Sequence, residues 1–128
     1  MTDDPVLSVQ KLDTRFQTQA GEIRAVDDVS FDLQKGEILG LVGESGSGKS
    51  VTGFSIMGLI DEPGRIHGGQ IRFKGEDLIN ADEKRYNRLR GREIAMIFQD
   101  PMMTLNPLLR IDVQMIEAIL AHEAVSRK

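Results

Sequence analysis

The chain has no cysteine and no tryptophan, and its aromatic groups are five phenylalanines and one tyrosine. Without cysteine, neither a disulfide framework nor a thiolate metal site can form, which suits a reducing compartment. No apolar run approaches the roughly 18 residues of a membrane-spanning helix. The N-terminus, Met1-Thr2-Asp3-Asp4-Pro5, is acidic with no apolar run behind it, unlike a secretory signal. A net charge of -4 offers no general attraction to nucleic acid or anionic lipid. Internal repeats and low-complexity segments are also lacking. What remains is a soluble chain of 128 residues, the size of one small domain, expected in the cytoplasm.

What is present centres on Gly43-Glu44-Ser45-Gly46-Ser47-Gly48-Lys49-Ser50. This run fits G-x-x-x-x-G-K-[ST], the phosphate-binding loop. An apolar strand-like run, Ile38-Leu39-Gly40-Leu41-Val42, leads in, and a helical segment from Val51 to Ile60 leads out. Glycines let successive backbone N–H groups turn inward on phosphate oxygens. The following helix N-terminus adds partial positive charge at the same place. In that geometry Lys49 reaches the β- and γ-phosphates of a nucleotide such as ATP. The Ser50 hydroxyl ligates the Mg²⁺ that bridges them. The plain alternative is a glycine-rich turn before a lysine, and the strand–loop–helix context weighs against it.

Residues Val6 to Phe16 alternate loosely, with Leu7 and Val9 and then Leu12 and Phe16 apolar, which predicts a half-buried strand. Gln17 to Glu22 reads as a turn. Val26, Val29, Phe31 and Leu33 form a second alternating run, interrupted by Asp27-Asp28. Lys35-Gly36-Glu37 turns the chain into the loop strand. After the loop, Phe54, Ile56, Met57, Leu59 and Ile60 predict a buried helix, with Gly53 and Gly58 packed close to a sheet. Asp61-Glu62-Pro63-Gly64 ends it. Gly68-Gly69 opens a short strand from Gln70 to Phe73, and His67 precedes it in a turn. The charged segment Asp82 to Arg92, with Leu89 among its few apolar groups, predicts a solvated helix rather than a phosphate patch. Ile94-Ala95-Met96-Ile97-Phe98 reads as a strand buried on both faces, ending at Gln99-Asp100-Pro101. Such a strand end is where open α/β sheets bind ligands. Pro101 and Pro107 predict an ordered, irregular loop from Asp100 to Leu108. From Leu109 onward, Val113, Ile116 and Leu120 recur at helical spacing. The pattern stops in mid-helix without a capping glycine, as expected of an N-terminal fragment.

Together these residues resemble the ATP-binding subunit of an ABC transporter, over nearly the whole chain from about Leu7. Val26-Asp27-Asp28-Val29-Ser30-Phe31, Lys35-Gly36-Glu37 and the phosphate loop match the family's entry pattern. Ile97-Phe98-Gln99 looks like its Q-loop. The run Phe98-Gln99-Asp100-Pro101-Met102-Met103-Thr104-Leu105-Asn106-Pro107, with Ile56-Met57-Gly58-Leu59, is similar to the dipeptide/oligopeptide (and nickel) importer branch. The implied fold is α/β: a P-loop NTPase core with an antiparallel β subdomain at the N-terminus and the start of a helical subdomain. By the resemblance, residues 1–98 are the N-terminal part of the nucleotide-binding domain. Residues 99–128 are the Q-loop and the beginning of the helical subdomain.

The resemblance implies roles residue by residue. Phe16 falls where the family stacks an aromatic on adenine, a reading favoured over the plain one of a core residue in the first strands. Gly43 to Gly48 and Val51 cradle phosphate. Val51 stands where many relatives carry a second hydroxyl, leaving backbone N–H groups to serve the α-phosphate. Lys49 and Gln99 are the candidate catalytic residues, and Ser50 and Gln99 the candidate Mg²⁺ ligands. The family's signature loop, its Walker B aspartate with the adjacent glutamate, and its switch histidine match nothing before Lys128, so hydrolysis by this stretch alone is expected to be negligible. The implied partners are a second ABC ATPase subunit, identical or not, and a membrane permease meeting Pro101 to Leu108. An external binding protein is involved indirectly, and no nucleic acid. The implied activity is an ATPase that powers peptide import, at the inner face of the cell membrane. Two alternatives stand beside it: a non-catalytic nucleotide-binding fragment, and a soluble ABC ATPase acting on nucleic acid or the ribosome.

Overall fold

The computed structural model describes residues 4–100, 102 and 104–126. Pro101 and Met103, both in the expected irregular loop, lie outside the described residues. The chain divides into two compact units, one running to Asp82 and the other starting at Glu83.

The first unit is built on an antiparallel sheet in the order β2-β1-β3-β4, where β1 is Leu7–Thr18, β2 Gly21–Leu33, β3 Gly64–Phe73 and β4 Glu76–Asp77. β1 and β2 form a hairpin closed over Gln19-Ala20, where the Thr18 hydroxyl donates to the Gly21 carbonyl at 2.7 Å. Lys74 and Gly75, both at positive φ, make the tight turn from β3 to β4.

β1 is central, so one of its faces must be apolar along its length. Strict alternation from buried Val9 would bring Lys11, Asp13 and Arg15 to that face. Lys11 instead takes φ 50 and bulges, and the burial passes to Leu12 and Thr14, with Phe16 half-buried on the same side. The Lys11 amide donates to the Ser30 hydroxyl at 2.8 Å. β2 makes the same change of phase at Asp28, φ 53, between Val26 and Val29. β3 changes phase at Gly68-Gly69, and there the backbone passes so close to the Lys11 carbonyl that no side chain would fit on Gly69. β3 is thus longer than the expected Gln70–Phe73, and His67 lies within it rather than in a turn.

α1 spans Lys49–Ile56, shorter than the expected helix reaching Ile60. Gly58, at φ 65, ends it: its amide bonds the Ser55 carbonyl at 3.3 Å, and the Leu59 amide bonds Phe54 at 2.8 Å. That is the Schellman closure, so Gly58 terminates the helix where close packing was expected.

The second unit carries α2, Glu83–Leu89, and α3, Ile111–Leu120. The charged segment is less solvated than expected, because Tyr86 and Leu89 are both buried. Arg90 lies over the Tyr86 ring and pairs with Glu83 at 2.6 Å. α3 begins at Ile111, and Leu109 belongs to the preceding turn. The loop before α3 is fixed by Gln114, whose amide bonds Asn106 through both its N–H and O, at 3.0 and 2.9 Å, and reaches the Leu109 carbonyl.

Two expected strands are absent among the described residues. Ile38–Val42 and Ile94–Phe98 join no ladder among the described residues beyond an isolated Arg90–Ile94 bridge. Ile38 is 97% exposed and Ile97 94%. An apolar run becomes a buried strand only beside strands that take up its N–H and C=O groups, and neither run pairs with the outer edge of β2 or of β4.

Candidate functional site

Gly43 to Ser50 form a loop leading directly into the first turn of α1. The Ser47 amide donates to the Glu44 carbonyl at 3.0 Å and closes a turn. Gly46 and Gly48 sit at φ 81 and 99, a conformation that costs any other residue roughly 1–2 kcal/mol. Gly48 has a second reason to lack a side chain: a Cβ there would overlap the Ala25 carbonyl of β2. β2 therefore braces the loop from behind, and a side chain at Gly43 would likewise strike Ser47.

The Lys49 ammonium folds back over this loop. It donates to the carbonyls of Gly43 and Glu44, the latter at 2.8 Å, and to the Ser47 hydroxyl at 3.3 Å. A positive charge is thus held against the loop carbonyls at the N-terminus of α1. Ser50 is exposed in the first turn of α1, and Val51 is half-buried beside it. This donor set fits a polyphosphate: main-chain N–H groups, one ammonium and exposed hydroxyls. A hard cation fits only with the polyphosphate present. Among the described residues no three His, Cys, Asp or Glu gather to hold a metal, so a cation beside Ser50 would depend on phosphate oxygens and water for the rest of its shell.

Phe16 lies in the same unit, on the face of β1 that carries Thr14. Its ring packs over Gly64, leaving no room there for a side chain. Gln99 lies in the second unit, exposed, in a bend after Phe98. The next residue, Asp100, accepts the Met102 amide at 3.1 Å.

The residues behind the loop belong to no sequence motif. Thr52 bonds the Gly48 carbonyl and Ser55 the Val51 carbonyl, each at 2.8 Å, and Thr14 meets Ser55 hydroxyl to hydroxyl at 2.8 Å. The signal for Thr14 was its place between Leu12 and Phe16 in the shifted phase. On the other face, Arg15 pairs with Asp13 and Glu22 at 2.7 and 2.8 Å. The hydrogen bond from Arg15 holds the Asp13 carboxyl below its ordinary range and raises the guanidinium in turn.

The ABC transporter family model matches residues 26–126. The oligopeptide transport ATP-binding protein OppD of Escherichia coli K12 is 47% identical over 97% of this chain and 36% of its own length. The dipeptide transport ATP-binding protein DppD of Lactococcus lactis is 48% identical over 95% of this chain and 35% of its own. The chain thus spans about a third of the length of these relatives. Among solved structures, the dimeric bacterial ABC transporter cassette MJ0796 superposes with a TM-score of 0.81 at 20% identity, over 95% of this chain and 50% of that one. A post-hydrolysis form of that cassette, bound to ADP and phosphate, gives 0.80. The α/β cassette architecture expected from the sequence is therefore the fold of this chain. With a match running from within β2 to beyond α3, the chain belongs to the ABC transporter family.

Proposed function

We propose that this chain is the phosphate-binding part of an ATPase that powers import of di- or oligopeptides across the cytoplasmic membrane. The observation that carries the reading is the loop at Gly43–Ser50, with its ammonium turned inward and its glycines placed where side chains cannot go. The relatives named for oligopeptide and dipeptide transport supply the cargo class.

In this reading the backbone amides of Gly46 to Lys49 hold the β-phosphate, and Lys49 moves from its carbonyl partners to the γ-phosphate. Phe16 stacks on the adenine. Ser50 and Gln99 are the proposed Mg²⁺ ligands, and the ion would supply positive charge against the phosphates. Catalysis is positioning and charge neutralisation for attack by water. Gln99 then acts as a hinge whose position reports the γ-phosphate. Residues 1–98 serve as the nucleotide half and residues 99–128 as the start of the helical subdomain. The exposed Leu105 and Leu108, on a loop pinned by Gln114, suit contact with a permease. A second ATPase subunit completes the nucleotide sandwich, and the assembly sits at the inner membrane face. No described helix is long and apolar enough to cross the membrane itself.

Equilibrium binding of ATP to the wild type and to Lys49→Ala tests the reading. Removing a charged donor weakens affinity by about 10- to 100-fold. Equal affinity in the two proteins overturns the phosphate assignment. Co-purification of the full-length protein with a membrane permease separates the importer from a soluble ABC ATPase.

A further inference from the structure

Three polar side chains are buried among the described residues, and all three belong to α1 or touch it: Thr52, Ser55 and Thr14. Two of the bonds are local. Thr52 and Ser55 each donate back to the carbonyl four residues earlier, as helical hydroxyls commonly do. The third is different in kind, because Thr14 lies on β1, 41 residues from Ser55, and both are fully buried.

The direction of this bond follows from proton counting. Ser55 has one hydroxyl proton and spends it on the Val51 carbonyl. Its oxygen is then an acceptor, so Thr14 is the donor at 2.8 Å. A directed chain results, from Thr14 to Ser55 to the backbone of Val51, the residue after Ser50. At its other end, Thr14 stands two residues before Phe16 on the same face of β1, and the Phe16 ring is packed over Gly64. One buried link thus ties the strand carrying the aromatic ring to the helix carrying the phosphate loop.

We infer that the Thr14–Ser55 hydrogen bond is a positioning contact that sets the separation between the base subsite at Phe16 and the phosphate loop, and so favours a nucleoside triphosphate over a bare polyphosphate. The inference rests on the nucleotide reading above. Thr14 touches neither ligand; it holds the two subsites in register. Thr14→Val keeps the shape and removes the donor, while Ser55 keeps its own bond to Val51.

The test compares affinities of the full-length protein for a non-hydrolysable ATP analogue and for inorganic tripolyphosphate, both with Mg²⁺. In Thr14→Val the analogue binds about tenfold more weakly and tripolyphosphate binds as in the wild type. Thr14→Ser restores discrimination. Ser55→Ala, safe for the helix because alanine is its best former, loses discrimination to the same degree, and the double variant is no worse than either single one. Equal weakening of both ligands in Thr14→Val and Ser55→Ala, or no change in the analogue, overturns the inference while leaving the nucleotide reading intact. A wild type that binds neither ligand overturns both.

Discussion

Two groups of hydroxyls on and around α1 meet opposite fates. Ser45, Ser47 and Ser50 stand exposed on the loop and the first helical turn. Thr52, Ser55 and, from β1, Thr14 are buried, each with a partner inside the chain. The chemistry is the same and the difference lies in what supplies the partner. A buried hydroxyl without one costs about 1–3 kcal/mol, so the inner group is committed to holding the helix in place. The outer group faces solvent, where a phosphate or a cation can reach it. Frame and ligand surface are therefore separable by mutation.

Gly48→Ala should have the largest effect, because Gly48 serves both. Positive φ and the Ala25 carbonyl act against any side chain there, at about 3 kcal/mol together. Thermal unfolding should shift down by about 10 °C, and ATP binding should fall with it. An unshifted Tm would mean that β2 does not brace the loop. Ser50→Ala should sharpen the contrast from the other side. Its stability stays within about 0.5 kcal/mol of wild type. The Mg²⁺-dependent part of ATP affinity drops about tenfold, and affinity measured in EDTA is unchanged. A stability loss without a change in Mg²⁺ dependence would assign Ser50 to the frame.

The smallest effect belongs to Asp13, on the solvent side of β1. Its carboxyl is held low in the folded state by Arg15, so its contribution is complete above the ordinary carboxylate pKa and is lost as pH falls through the lowered one. Asp13→Asn should melt slightly below wild type at pH 7, and the gap should close in a titration taken below about pH 4. Nucleotide affinity should not follow.

The glycine-rich turn from Gly43 into α1 was legible because its glycines and lysine have spacing dictated by one geometry. The antiparallel sheet was legible too, down to a detail easily passed over. Leu7 and Val9 fall on odd positions and Leu12 and Phe16 on even ones, which is the written trace of the bulge at Lys11. Asp27-Asp28 marks the matching change in β2. What sequence did not reveal was relational. Ile38–Val42 and Ile94–Phe98 have the apolarity of core strands, but pairing depends on neighbours that composition does not describe. Tyr86 and Leu89 were masked by the charges around them, and one of those charges, Arg90, turned out to cover the tyrosine. Gly58 reads equally as a packing glycine or a helix stop until its φ is known.

The changes of phase at Lys11, Asp28 and Gly68-Gly69 sit side by side across three strands. Chain length in this stretch is consequently counted in matched sets. Flattening the bulge while keeping Lys11 in the strand would turn the distal half of β1 inside out, sending Arg15 inward and Phe16 to the solvent side. The hairpin tip at Gln19-Ala20 has no such constraint, so homologous chains should vary in length there and keep a fixed count between Val9 and Phe16.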